Sequence, residues 1–195
     1  MIICAESLTW FNQKFQETIA MKHQDSLQPT TFKLKPLSKD GVEKALQKAE
    51  HYRLLNQPRL AESICLDILD IEPSNQKALA FLLLALTDQF GRSSSKAVRQ
   101  AQEIASKLKD EYARVYYTGI VLERQGSVAL NSGIPGSDFD ACEWYLEAMK
   151  YYEKANALGQ SGNDDPILRW NTCARIIMQY NLTERPIDNS QPVLE

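Results

Sequence analysis

Apolar residues recur along most of the chain at intervals of three and four, the spacing that places them on one face of an α-helix. Ala45, Ala49 and Tyr52 follow it after Asp40-Gly41-Val42-Glu43, an approximation to a capping box that predicts a first helix ending near Leu55. Asn56 and Gln57 make a turn. Pro58 suits a first helical turn, where its missing N–H had no partner anyway, and a second helix runs to about Ile71 before Pro73 stops it. A third helix, Asn75 to about Gln89, carries the apolar run Ala78 to Leu86 and ends at Gly91; Arg92 to Ser95 form a polar turn into a fourth helix, Lys96 to Leu108.

Asp110 is placed to cap a fifth helix holding Val115, Tyr116, Gly119, Ile120 and Leu122, with Gly126 as its expected end. Ser127 to Ser137, with Asn131, Gly133, Pro135 and Gly136, reads as a loop. Ser137 or Asp138 restarts a long helix through Trp144, Tyr145, Met149, Tyr152 and Ala155. Asp165-Pro166 reads as a cap followed by an N1 proline, opening a last helix to about Tyr180. Upstream, Leu8, Phe11, Phe15 and Ile19 form an apolar stripe on a possible helix from Ser7 to Met21. The chain therefore reads as all-α. Residues 1–40 are an N-terminal amphipathic helix and linker, 41–181 the main domain with an insertion at 127–147, and 182–195 a flexible C-terminal tail.

Composition narrows the function classes. The chain has 22 basic and 25 acidic residues for a net charge of −3, so it lacks the basic stripe expected of a nucleic-acid or anionic-membrane binder. The apolar run of nine residues from Ala78 to Leu86 falls far short of the ~20 that cross a hydrocarbon core. The first residues lack the basic start of a secretory signal. Cys4, Cys65, Cys142 and Cys173 form no CxxC pair, a pattern that fits reduced thiols in the cytoplasm better than a disulfide framework.

The helices pair through short turns, and the pairs repeat. Val42 to Gln76 is an interval of 34 residues. From Val42, Ala45, Ala49, Tyr52, Ala61 and Ile68 fall at positions 4, 8, 11, 20 and 27, and Pro73 at 32. From Gln76, Leu79, Leu82 and Leu86 fall at 4, 7 and 11, with Ala97, Ala101 and Ile104 at 20, 24 and 27 if the turn holds two extra residues. From Tyr112, Val115, Gly119, Leu122, Ala148, Tyr152 and Ala155 follow the same order. From Ile167, Trp170, Cys173, Ala174 and Ile177 repeat the first half alone. This series resembles the tetratricopeptide (TPR) repeat family, with Lys48, Cys65 and Leu83 as departures. The resemblance implies a right-handed α-solenoid of about 3.5 hairpins with an extra N-terminal helix. Small residues such as Gly119 and Ala148 let helices approach, and bulky ones fill the space between neighbours.

From Gly126 to Ala148 is 22 residues where the repeat needs five, an insertion of 17. Loop closure rises by only about 0.6 kcal/mol per doubling of length, so a packed array tolerates it.

Chemistry is sparse. His23 and His51 lie near no HExxH or His-Cys cluster, no Gly-rich phosphate loop or nucleophile elbow occurs, and Asp138, Asp140 and Glu143 lack the spacing of a calcium loop. The expectation is therefore no cofactor, no metal and no catalysis. In TPR proteins the first helices of successive repeats line a groove that takes a peptide or protein segment. The resemblance nominates Leu46, Glu50, Arg53, Leu84, Asp88, Tyr116, Ile120, Glu123, Asn171 and Arg175 as its lining. Leu46 and Glu50 stand where a chaperone-tail clamp needs lysine and asparagine, so no such clamp is expected. The implied function is a protein-interaction adaptor or scaffold. The alternative is a structural subunit of a homo-oligomer joined through Leu8, Phe11, Phe15 and Ile19.

Overall fold

The computed structural model describes residues 31–91, 95–159 and 161–186. The N-terminal stripe Leu8, Phe11, Phe15 and Ile19 lies outside them, as do residues 187–195. Residues 1–35 and Pro36–Glu195 are separate compact units; of the first, 31–35 are irregular and exposed. The second is all-helical: α1 Val42–Leu54, α2 Pro58–Ile71, α3 Gln76–Thr87, α4 Ser95–Lys107, α5 Glu111–Leu130, α6 Ser137–Leu158 and α7 Asp165–Tyr180. The described residues contain no strand.

Local chemistry explains most boundaries. Asn75 accepts a hydrogen bond from the Ala78 amide at 3.0 Å and Asp110 one from the Ala113 amide at 2.9 Å, each capping the helix that follows. Asn56 ends α1 with a positive φ of 56°, a conformation asparagine tolerates, and the Gln57 amide reaches back to the Tyr52 carbonyl at 2.8 Å. Asn181 closes α7 the same way, with the Leu182 amide on the Ile177 carbonyl at 3.0 Å.

Two expected caps are absent. Asp40 does not cap α1, because Lys39–Gly41 form a 3₁₀ turn that puts Gly41 at the cap position, and no side chain bonds there. Asp165 lies inside the first turn of α7, with its amide donating to Asn163 Oδ1 at 3.3 Å.

A larger difference is α5, which runs through Gly126 to Leu130, so the loop shrinks to 131–136. Gly126 is a contact point and not a stop: a Cβ there would meet the Tyr145 ring at 3.2 Å. Gly119 plays the same part seven residues earlier, where a Cβ would stand 2.7 Å from Tyr152. Two tyrosine rings of α6 thus fill two glycine notches of α5, and the 17 extra residues mostly lengthen this antiparallel pair. The chain beyond α7 is also held down as far as it is described. Leu182 is buried in the α5–α6–α7 core, and Arg185 pairs with Asp140 and Glu143 and lies over the Phe139 ring. Leu182 and Arg185 therefore tie this stretch to the fold, Leu182 because it has an apolar surface to cover and Arg185 because it has acids to meet, while residues 183–186 stay exposed.

Each helix packs against the next, and in addition α1 meets α3 and α3 meets α5. The main core joins α1–α4 through Ala49, Ala61, Cys65, Leu79, Leu82, Leu83, Ala85, Leu86 and Ala101, and reaches Val121 of α5. Fully burying one such leucine contributes about 1.5–3 kcal/mol. The second core gathers Ile120, Ala141, Cys142, Tyr145, Ala148, Tyr152 and Cys173. A third, Val42, Leu46, Ile68 and Ala78, closes the α1–α2 end.

Candidate functional site

The contacts among α1, α3 and α5 bring the C-terminal ends of these three helices together. Between them opens a cleft of about 740 Å³ lined by Arg53, Leu54 and Asn56 from the end of α1, Thr87, Asp88, Phe90 and Gly91 from the end of α3, and Arg124, Ser127, Val128, Asn131 and Ser132 from α5 and the loop after it. The last four residues belong to the insertion, so the lengthened α5 supplies one wall. Asp88 is the hub. Its Oδ2 accepts a hydrogen bond from Arg53 Nε at 2.9 Å, and its Oδ1 lies 3.5 Å from an Arg124 terminal nitrogen. Arg53 sits in the last turn of α1, where positive charge offsets the helix dipole.

A second polar cluster ties α5, α6 and α7 together. Glu123, buried on α5, accepts from Tyr152 Oη at 2.5 Å and from Arg169 of α7 at 3.0 Å through both carboxylate oxygens. Arg169 Nε also donates to Tyr116 Oη at 3.2 Å. Tyr116 stacks on Tyr112, and burial raises the pKa of both phenols above the ordinary value; for Tyr116 the Arg169 contact partly opposes this.

The nominated residues separate into four groups. Arg53 and Asp88 line the cleft. Leu46, at 3% exposure, and Ile120, at 1%, are core residues and face no groove. Their registers point inward because α1 buries Leu46 against Ile68 and Ala78, and α5 buries Ile120 against α6. Glu123 and Tyr116 are engaged within the fold by Arg169, and Leu84 packs between the two large cores. Glu50 and Arg175 are exposed and Asn171 is half-buried, none of them in the cleft.

Among the lining residues outside the nominated set are Arg124, Val128, Asn131 and Ser132. Arg124 occupies the same repeat position as Asp88, so its signal was present. The other three follow the expected end of α5, in the segment that reads as a loop. Among the described residues no cluster of His, Cys, Asp or Glu is arranged to hold a metal ion, and no helix is long and apolar enough to cross a membrane. Comparison with family models, with curated proteins and with solved structures gives no match.

Proposed function

We propose that this chain is an adaptor of stacked helical hairpins, resembling TPR proteins, that holds a segment of another polypeptide in the cleft between α1, α3 and the lengthened end of α5. The observation that carries this reading is the construction of the cleft: three successive first helices supply its floor and the insertion its wall. Paired helices with contacts between α1 and α3 and between α3 and α5 support the solenoid arrangement, and the lone α7 takes the place of a closing helix. The cleft volume lies within the range of about 300–1,000 Å³ usual for ligand sites. Leu54, Phe90 and Val128 beside Arg53, Asp88 and Arg124 suit a peptide of mixed character. In this reading the chain performs no catalytic step.

Affinity capture from the native host tests it. Asn131→Trp places an indole at the rim of the cleft and is expected to deplete the captured partners at least tenfold, whereas Gln102→Ala, exposed on α4, leaves them unchanged. Partners indifferent to Asn131→Trp would remove the cleft from consideration.

A further inference from the structure

We propose that the cleft recognises one acidic side chain of the bound segment, flanked by apolar residues, and that Arg124 is the group that holds its carboxylate. This rests on the reading of the chain as a peptide-binding adaptor.

The charges lining the cleft do not balance. Arg53 and Arg124 face a single carboxylate, Asp88, in a chain whose net charge is −3, so the surplus cation is a local feature. The two arginines are also unequal. Arg53 donates to Asp88 at 2.9 Å, while Arg124 reaches it only at 3.5 Å through one terminal nitrogen. Arg124 Nε is buried with no hydrogen-bond partner, although 39% of the side chain is exposed. A guanidinium has five N–H donors in a planar fork that matches a carboxylate, and Asp88 engages one nitrogen of this one.

Apart from Asn56, the neighbouring uncharged polar side chains are committed elsewhere. Thr87 donates to the Leu84 carbonyl, Ser127 bonds the Glu123 carbonyl and Tyr145 Oη, Asn131 donates to the Ser127 carbonyl and Ser132 to the Ala129 carbonyl. Arg124 and the terminal nitrogens of Arg53 are the charged cleft donors with capacity left for a ligand, and with 39% of its side chain exposed against 21% for Arg53, Arg124 is the more accessible. Leu54, Phe90 and Val128 surround it with apolar surface, which suits apolar residues on either side of the acid. The surplus of one positive charge matches a carboxylate. A phosphate monoester, at roughly −1.5 to −2 near neutral pH, would be left under-neutralised beside Asp88.

Titration of the full chain, labelled with ¹⁵N at arginine and at backbone amides, tests this by NMR. The probes are blocked pentapeptides, Ala-Leu-Glu-Leu-Ala, its glutamine and phosphoserine counterparts, and inorganic phosphate alone. The glutamate peptide is expected to give a saturable shift of the Arg124 Nε–H signal and of the Val128 and Asn131 amides, with the glutamine peptide at least tenfold weaker. Arg124→Met is expected to abolish the distinction between the two peptides. Arg124→Lys, which keeps the charge and loses the fork, is expected to retain part of it, and circular dichroism verifies that both variants are folded. Equal binding of the glutamate and glutamine peptides overturns the proposal, as does tighter binding of phosphate or the phosphoserine peptide. An absence of saturable shifts, with partner capture still sensitive to Asn131→Trp, overturns acid recognition while the peptide cleft stands; capture indifferent to Asn131→Trp defeats the cleft reading itself.

Discussion

Gly119 is the residue at which packing and propensity pull hardest against each other. Alanine is a better helix former than glycine by about 1 kcal/mol, so Gly→Ala in the middle of an open helix stabilises. At Gly119 the new methyl would stand 2.7 Å from Tyr152 Cε1, closer than carbon atoms approach. The ring has little freedom to retreat: it is buried, and its hydroxyl is tied to Glu123, which also binds Arg169. Overpacking of this kind costs about 1–3 kcal/mol, and the pinned ring places the effect at the upper end, so the clash wins. Gly119→Ala is therefore expected to lower the urea midpoint with an unchanged slope, and a midpoint at or above that of the parent chain would show that Tyr152 can yield. The buried thiols are set by their surroundings in the same way. Loss of solvent raises Cys65 and Cys173 from the ordinary thiol value to about 12, so neither is a ready nucleophile at neutral pH.

Helix ends provide a sharper comparison at the scale of the element. Asn75 and Asp110 each bond a backbone amide three residues on, whereas Asp40 bonds none. Replacing a working cap by alanine costs about 1 kcal/mol, so Asn75→Ala and Asp110→Ala are each expected to lower stability by about that much and Asp40→Ala by much less. Chemical denaturation of the three variants checks it, and a loss for Asp40→Ala equal to the others would restore the capping box at the start of α1. These ends also mark what was legible in the sequence. Helix identity, the pairing turns at Asn56-Gln57 and the limits of α2 at Pro58 and Ile71 follow from periodicity and proline. The end of α5 did not, because a glycine that admits a neighbouring ring looks the same in sequence as one that ends a helix. The telling signal was a spacing shared between two segments, Gly119 and Gly126 against Tyr145 and Tyr152, each pair seven residues apart. The same misreading hid the cleft wall at Val128, Asn131 and Ser132. Repeat position alone puts Leu46 and Ile120 in a groove, but position does not say how far a helix is rotated toward its core.

Across the whole unit, packing passes from each helix to its near neighbours, so one end can loosen while the other holds. The titratable groups are unevenly spread along that series. Tyr112, Tyr116, Tyr117, Tyr145 and Tyr152 all lie on α5 and α6, and burial is the first cause that raises every one of them; Cys142 and Cys173 on α6 and α7 are raised by burial as well. The α1–α4 end has Cys65 alone among the raised thiols and phenols. A pKa raised by folding means that the fold prefers the protonated group. The stabilisation it contributes is complete below the unfolded value, about 8.5 for a thiol and 10 for a phenol, and is lost as pH climbs through the folded value. The sign is the same for all eight groups, so alkali weakens the fold above about pH 9–10, and weakens α5–α7 far more than α1–α4. In a Trp10→Phe chain the two remaining tryptophans, Trp144 and Trp170, report on α6 and α7, phenolate absorbance reports on the tyrosines, and circular dichroism reports on all seven helices. Tryptophan emission and phenolate absorbance are expected to change together at a lower pH than the midpoint of helix loss, leaving an intermediate with α1–α4 still formed. A single coincident transition in all three signals would show that the contacts between α3 and α5 and between α4 and α5 couple the two ends into one cooperative unit.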